Sequence, residues 1–206
     1  PDASMTTSRK DQRLEPSYKQ HTAVEDRSGV VLDVEVTTGE ASEGRQLQEQ
    51  LERIEGNIGQ GVETVTADGS YAHAANYAAL EERGIDSVIP PQKEPRTNRP
   101  MPLRRFRYDQ RHDVVRCPRG RKLHRSSRTK KGWMYRARVK DCRRCPLAEC
   151  CLSKSASVRQ VLIVDGYGAL LRARRKRLRW DEATRQKYTR HRWRVEGVHG
   201  EAKTQH

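Results

Sequence analysis

The sequence predicts a mixed α/β fold, and three observations carry that expectation. Two short runs of alternating apolar and polar residues, separated by a polar turn, lie between positions 17 and 36. A strand, an Asp-containing turn, an Ala-rich helix and a second strand follow one another between positions 61 and 89. Beyond them the chain turns Pro- and Arg-rich and then cysteine-bearing, which marks an insertion into the α/β frame.

Residues 1–16 are polar without periodicity and predict a loop or arm. Tyr18, Gln20, Thr22 and Val24 then alternate with Lys19, His21 and Ala23. After a turn at 25–29, Val30, Leu32, Val34 and Val36 take up a second alternation, completing a β-hairpin. His21 lies on the side away from the valines and is read as structural or solvent-exposed. Residues 43–55 place Leu47, Leu51 and Ile54 on one face of an amphipathic helix. The strand 61–67 ends at Asp68, and the helix after it stops at Gly84, a residue suited to the left-handed position past a helix end. The strand 85–89, closed by Pro90 and Pro91, completes a βαβ unit with a parallel pair and a right-handed crossover. Residues 92–115 read as an extended basic linker, 157–166 as a strand and 168–180 as a basic helix. Asp181, three before Thr184, is a candidate N-cap for the final helix. The divisions that result are an arm (1–16), a first α/β part (17–91), a basic insertion (92–156) and a second α/β part (157–206).

With 206 residues there is room for one domain with an insertion. A mean hydropathy of −1.02 and 5% aromatic residues predict a modest core. No run of about 18 apolar residues is available to span a membrane. The first residues carry no apolar signal segment, so a cytoplasmic protein is expected. Charge is divided unevenly. Residues 1–92 hold 8 Lys+Arg against 17 Asp+Glu, a balance of −9, while residues 93–206 hold 34 against 10, a balance of +24. The basic half is rich in Arg, whose planar fork suits phosphate, and nucleic acid is the polyanion it implies.

Two places carry candidate chemistry for phosphate. On the final helix Arg192, Glu196, His199 and Lys203 recur at steps of four, three and four and share one face. A solvated helix with i,i+4 ion pairs has the same pattern, but a carboxylate among cations also suits a divalent metal beside phosphates. Trp193 and Val195 are expected to give that helix a buried side, and Gly197 and Gly200 hint at close backbone approach. Asp68, at the C-terminal end of a strand, stands where open α/β sheets place ligand-binding groups, although a helix-opening turn would also use an Asp.

The five cysteines are Cys117, Cys142, Cys145, Cys150 and Cys151. The C-x2-C spacing of Cys142 and Cys145 suits tetrahedral zinc, with redox use or unliganded thiols as alternatives. Arg119, Arg121 and Lys122 begin a basic run interleaved with Trp133 and Tyr135, suited to the DNA backbone with little sequence preference.

The run Arg192-x3-Glu196-x6-Lys203 resembles the signature around the last acidic residue of insertion-sequence transposases of the DDE type. The family's form places a Tyr three residues before the Arg, whereas Tyr188 lies four before Arg192. The stretch from Ala67 and Asp68 to Tyr71, with Asn76 and the strand at Ile85, is similar to the region around the second acidic residue. The resemblance runs from Tyr18 to His206 and implies an RNase H-like fold interrupted by a cysteine-bearing, β-rich insertion. It implies that Asp68 and Glu196 bind two Mg²⁺ with a third carboxylate, and that Arg192, Lys203 and Tyr188 position phosphates. Strand cleavage by water would precede transfer of the freed 3′-hydroxyl, with DNA as partner and a homo-oligomer pairing two transposon ends. Among the cysteines it singles out Cys117, Cys142, Cys145 and Cys151 as zinc ligands. Asp2 and Asp11 lie in no strand-like run, so the third carboxylate is expected outside this sequence, in a longer protein of which the chain is an inactive fragment. A zinc-stabilised DNA-binding protein without catalysis and an RNase H-like nuclease are the alternatives.

Overall fold

The computed structural model describes residues 3–7, 13–94 and 100–204. In chain order the elements begin with β1 (Ser4–Thr7), β2 (Leu14–Val24), β3 (Val31–Thr38) and α1 (Glu43–Ile58). The strand β4 (Thr64–Thr66), the helix α2 (Ala74–Glu82) and the strand β5 (Asp86–Val88) follow. Then come β6 (Arg107–Asp109), β7 (Val114–Arg116), β8 (Lys122–Thr129), β9 (Gly132–Ala137), α3 (Val139–Arg143), α4 (Ala148–Cys151) and β10 (Gln160–Val164). The chain closes with α5 (Tyr167–Leu178) and α6 (Glu182–Thr204). The fold is mixed α/β, and it divides into two compact units, Pro1–Gln92 with Ala169–His206, and Lys93–Gly168.

In the first unit β1, β2 and β3 form an antiparallel sheet in that order, and β4 and β5 form a separate parallel pair. The arm read over 1–16 therefore contains strand: β1 pairs with the start of β2, and Thr6 Oγ1 and Ser17 Oγ lie 2.6 Å apart. An edge strand of Ser and Thr can hydrogen-bond its neighbour without the apolar alternation that a sequence reading needs. The core gathers Leu47 and Leu51 of α1, Val65 of β4, Tyr77 and Leu80 of α2, Ile85 and Ile89, with Ala169 and Ala173 of α5. Ile54 is also buried, so the face of α1 is as its periodicity requires. Gly84, at φ 70°, ends α2 in the left-handed conformation that costs a glycine nothing.

The hairpin turns a different face inward from the one its valines suggest. His21 is 2% exposed and meets Thr37 Oγ1 at 2.8 Å. On the same side Asp33 accepts from Gln50 Nε2 and from both Nε and Nη2 of Arg53, at 3.1, 3.1 and 2.9 Å. Polar groups thus tie the sheet to α1. Val34, Val36, Tyr18 and Met5 share the opposite side by strand alternation and register and are exposed.

The second unit is built on an antiparallel sheet in the order β10-β9-β8-β7-β6. Two sequence readings change here. Residues 92–115, read as a linker, supply β6 and β7, because Phe106, Val114 and Val115 bury in this unit's core. The strand read at 157–166, assigned to the second α/β part, is β10 and pairs with β9, with Val161 opposite Tyr135 and Ile163 opposite Trp133. Asp113 accepts from Tyr108 at 3.3 Å and from Tyr135, and pairs with Arg125 at 2.7 Å.

Candidate functional site

Asp68 follows β4 and is exposed. It caps a single 3-10 turn (Gly69–Tyr71), its Oδ1 accepting from Ser70 N at 2.7 Å and also from the Ser70 hydroxyl. That hydroxyl lies 2.5 Å from Glu43 Oε2 as well, so the fold brings a second carboxylate within one side chain of Asp68. Two contacts produce the approach. Asn76, buried, donates to Gly44 O at 2.7 Å and to Tyr71 O at 3.0 Å. Gly44 leaves space for the His73 ring, whose atoms a Cβ there would meet at 2.7 Å. Lys19 Nζ stands 3.8 Å from Glu43 Oε1. Burial, and then the charges of Glu43 and Asp68, push the Tyr71 hydroxyl up to about 12. Glu43 was missed in the sequence because it reads only as the acidic first residue of a helix, and nothing local distinguishes it from other first-turn carboxylates.

Glu196 lies on α6, whose N-terminus Asp181 caps by accepting from Thr184 N at 2.8 Å. The helix is fastened to the turn between β2 and β3. Arg190 pairs with Asp26, holding that carboxyl below its usual range chiefly by hydrogen bonding, and Arg194 Nη2 donates to Arg27 O at 2.7 Å. α6 touches both β2 and β4. Glu196 is exposed and pairs with Arg192 at 3.4 Å, the i,i+4 ion pair of a solvated helix. Among the described residues no hydrogen bond or ion pair joins it to Asp68. Trp193, read as part of the buried side, is 77% exposed, whereas His191, Arg194, Val195 and Val198 are half-buried. The residues fastened to the hairpin turn set the rotation of the helix, and Trp193 faces outward. A Cβ at Gly197 would meet nothing within 4 Å. Tyr188 packs its ring against Trp180 and His191, at 5.4 and 4.9 Å between centroids. The side chains of His199 and Lys203, and residues Asp2 and Asp11, lie outside the described residues.

In the second unit Cys117, Cys142, Cys145 and Cys151 line one cavity of about 150 Å³, together with Arg119 and Arg121. Cys117 opens a turn closed by Gly120 N donating to Cys117 O at 2.8 Å, and Cys145 N donates to Cys142 O at 3.1 Å. Burial raises the Cys151 thiol, Arg159 opposes that, and the other three thiols add to it. Cys150 instead turns its thiol to Leu147 O at 3.3 Å. Among the described residues no three His, Cys, Asp or Glu side chains stand at metal-ligand spacing. Arg119, Arg121 and Lys122 are exposed, and Arg121 reaches Asp141 at 3.9 Å. No helix among the described residues is long and apolar enough to cross a membrane.

The family model described as the transposase DDE domain matches residues 2–206. Neither the curated proteins nor the solved structures offer a match to this chain. The family generally uses Mg²⁺. An acidic residue after a parallel strand, a second on a late helix and an Arg-rich second unit stand in a chain matched over almost its whole length, and the chain belongs to the DDE transposases, whose function is transposition and whose partner is DNA.

Proposed function

We propose that the first unit is an RNase H-like catalytic domain in which Asp68 and Glu196 hold Mg²⁺ together with a third carboxylate, and that the protein cuts and joins DNA by two-metal phosphoryl transfer. The observation that carries this reading is the place of Asp68, exposed just past β4 of a parallel pair, where α/β sheets present ligand-binding groups. The antiparallel β1-β2-β3 sheet, the parallel β4-β5 pair and a late helix touching β2 and β4 support the same order. Carboxylate oxygens suit a hard divalent ion, and both side chains are exposed. When bound, the ions supply activation of the attacking oxygen and stabilisation of the leaving one. The chain's own residues orient the site: Ser70 fixes one oxygen of Asp68, and Arg192 keeps a cation beside Glu196 that can meet a phosphate. Lys203 and Tyr188 complete the phosphate contacts in this reading, and a homo-oligomer pairs the two transposon ends.

In the second unit Arg119, Arg121 and Lys122 hold DNA flanking the cut. The thiols of Cys117, Cys142, Cys145 and Cys151 hold Zn²⁺, supported by their sharing one cavity and by their chemistry.

The test is Mg²⁺-dependent cleavage of duplex DNA bearing transposon ends, by a protein in which the third carboxylate accompanies this chain. D68N and E196Q are each expected to abolish cleavage while changing DNA binding by less than about twofold. Cleavage retained in either variant overturns the assignment. DNA binding without catalysis is the second reading, favoured by Glu196 pairing with Arg192 and, among the described residues, making no bond to Asp68, and it requires that neither substitution changes any measured property of the DNA complex.

A further inference from the structure

The carboxy-terminal half of α5 carries more positive charge than its own packing accounts for. Arg172, Arg174, Arg175, Lys176, Arg177 and Arg179 fall within eight positions. Like charges three or four apart on a helix repel, by about 0.2–0.5 kcal/mol for each pair. Here 172 stands three and four before 175 and 176, and 174 three before 177, while Arg179 follows in the turn just past the helix end. Two of these cations are offset by acids of the same unit: Arg172 pairs with Glu81 at 2.6 Å, and Lys176 pairs with Asp86 and donates to Ser87 O at 2.8 Å. Arg177 lies over the buried Trp180 ring, 4.1 Å from its centroid. Arg175 and Arg179 are exposed, and no acidic side chain among the described residues pairs with either.

A cation near a helix C-terminus is favoured by the helix dipole, but one or two suffice for that, and the effect falls off within the last turn. The arrangement is also more than a solvated face. Arg172, Arg175, Lys176 and Arg179 form one stripe, and with Trp180, Asp181 and Thr184 they line an open hollow of about 380 Å³. The Asp181 carboxylate in that hollow is engaged by Thr184 N. Pairs to α2 and β5 fix the stripe from one side, and Trp180, packed on Tyr188, fixes its end. Arg175 and Arg179, exposed between cations that are already paired, present guanidinium forks that suit phosphodiester oxygens.

We propose that this hollow where α5 meets α6 is a second contact for duplex DNA, in which Arg175 and Arg179 grip backbone phosphates without reading sequence. It rests on DNA being the substrate, but not on the assignment of Asp68 and Glu196. The test is equilibrium binding of the full chain to a duplex of arbitrary sequence across a salt series, comparing wild type with R175Q/R179Q and with R175E/R179E. Each phosphate contact contributes about 0.9 to the slope of log affinity against log salt, so loss of two should make the slope shallower by about 1.8. The Gln pair is expected to weaken binding at least tenfold at about 0.1 M salt, and the Glu pair further. An unchanged slope in a folded Gln variant overturns the proposal while leaving the catalytic reading untouched. Loss of cleavage in E196Q with this slope change present keeps both. A wild-type chain that binds no duplex even at low salt overturns this contact directly.

Discussion

Glu43 Oε2 and Ser70 Oγ lie 2.5 Å apart, joining the first residue of α1 to the turn that Asp68 caps. The Ser70 hydroxyl has one proton and two carboxylates within reach, so it can donate to only one of them at a time. Replacing Ser70 with Ala removes that shared donor but keeps the backbone N–H on Asp68. Stability should fall by about 1 kcal/mol, read as a urea midpoint shift. An unmoved midpoint would show that the hydroxyl contributes nothing to holding the two acids.

Asp68 can be separated into its capping and its charged roles. Asn retains an acceptor for Ser70 N, whereas Ala does not. D68A should therefore cost about 1 kcal/mol more than D68N in thermal or urea unfolding, while both remove cleavage. Equal stabilities would sink the capping role.

Two leucines of the first unit mark the extremes of burial. Leu80 is 0% exposed at the centre of the core, and Leu178 is 85% exposed at the end of α5. Leu80→Ala is expected to cost about 2–5 kcal/mol. Leu178→Ala should stay within about 0.5 kcal/mol of wild type by urea unfolding.

His21 gives the fold a pH dependence with a definite sign. Burial lowers its pKa from the ordinary 6.5, Glu43 and Glu35 oppose that, and Lys19 adds to it. The unfolded chain then binds the proton more readily than the folded one. The stability contribution is full above 6.5 and is lost as pH falls through the lower folded value. Between about pH 7 and 5 the wild type should lose more stability than His21→Gln. Parallel urea midpoints for the two would refute the assignment.

The cysteines differ in what they face, and zinc content should follow that difference. Cys150 is turned to Leu147 O, outside the set that lines the cavity. Cys150→Ser is expected to retain bound zinc, and Cys151→Ser to lose it, measured by metal analysis of purified protein. Equal zinc in both variants, or none in wild type, would reject the four-thiol ligand set.

The local patterns were legible where one physical cause dominated. Leu47, Leu51 and Ile54 had a helical period and nothing to compete with it, and Asp181 stood three residues before Thr184. The placement of Asp68 after a strand of a βαβ unit was legible for the same reason. Faces and partners were not. The alternation at Val34 and Val36 located a strand, but which side met α1 was decided by Gln50 and Arg53 finding Asp33. Glu43 came to Asp68 through Asn76 and the space left at Gly44, which are long-range contacts. The strand Gln160–Val164 was visible, but its partner is β9, adjacent in space and far enough back in the chain (Gln160 opposite Arg136, Val164 opposite Gly132) that no local pattern marks the pairing.

The outward side of the three-stranded sheet has a practical consequence for handling the protein. Met5, Tyr18, Val34 and Val36 present an oily surface on a molecule whose net charge is +15. At low ionic strength mutual repulsion keeps copies apart. High salt, the usual means of stripping nucleic acid from so basic a protein, shortens the range of that repulsion to about 3 Å at 1 M. Colloidal stability should therefore worsen under the very conditions that clean the sample, and static light scattering should show attraction between molecules growing as salt is added.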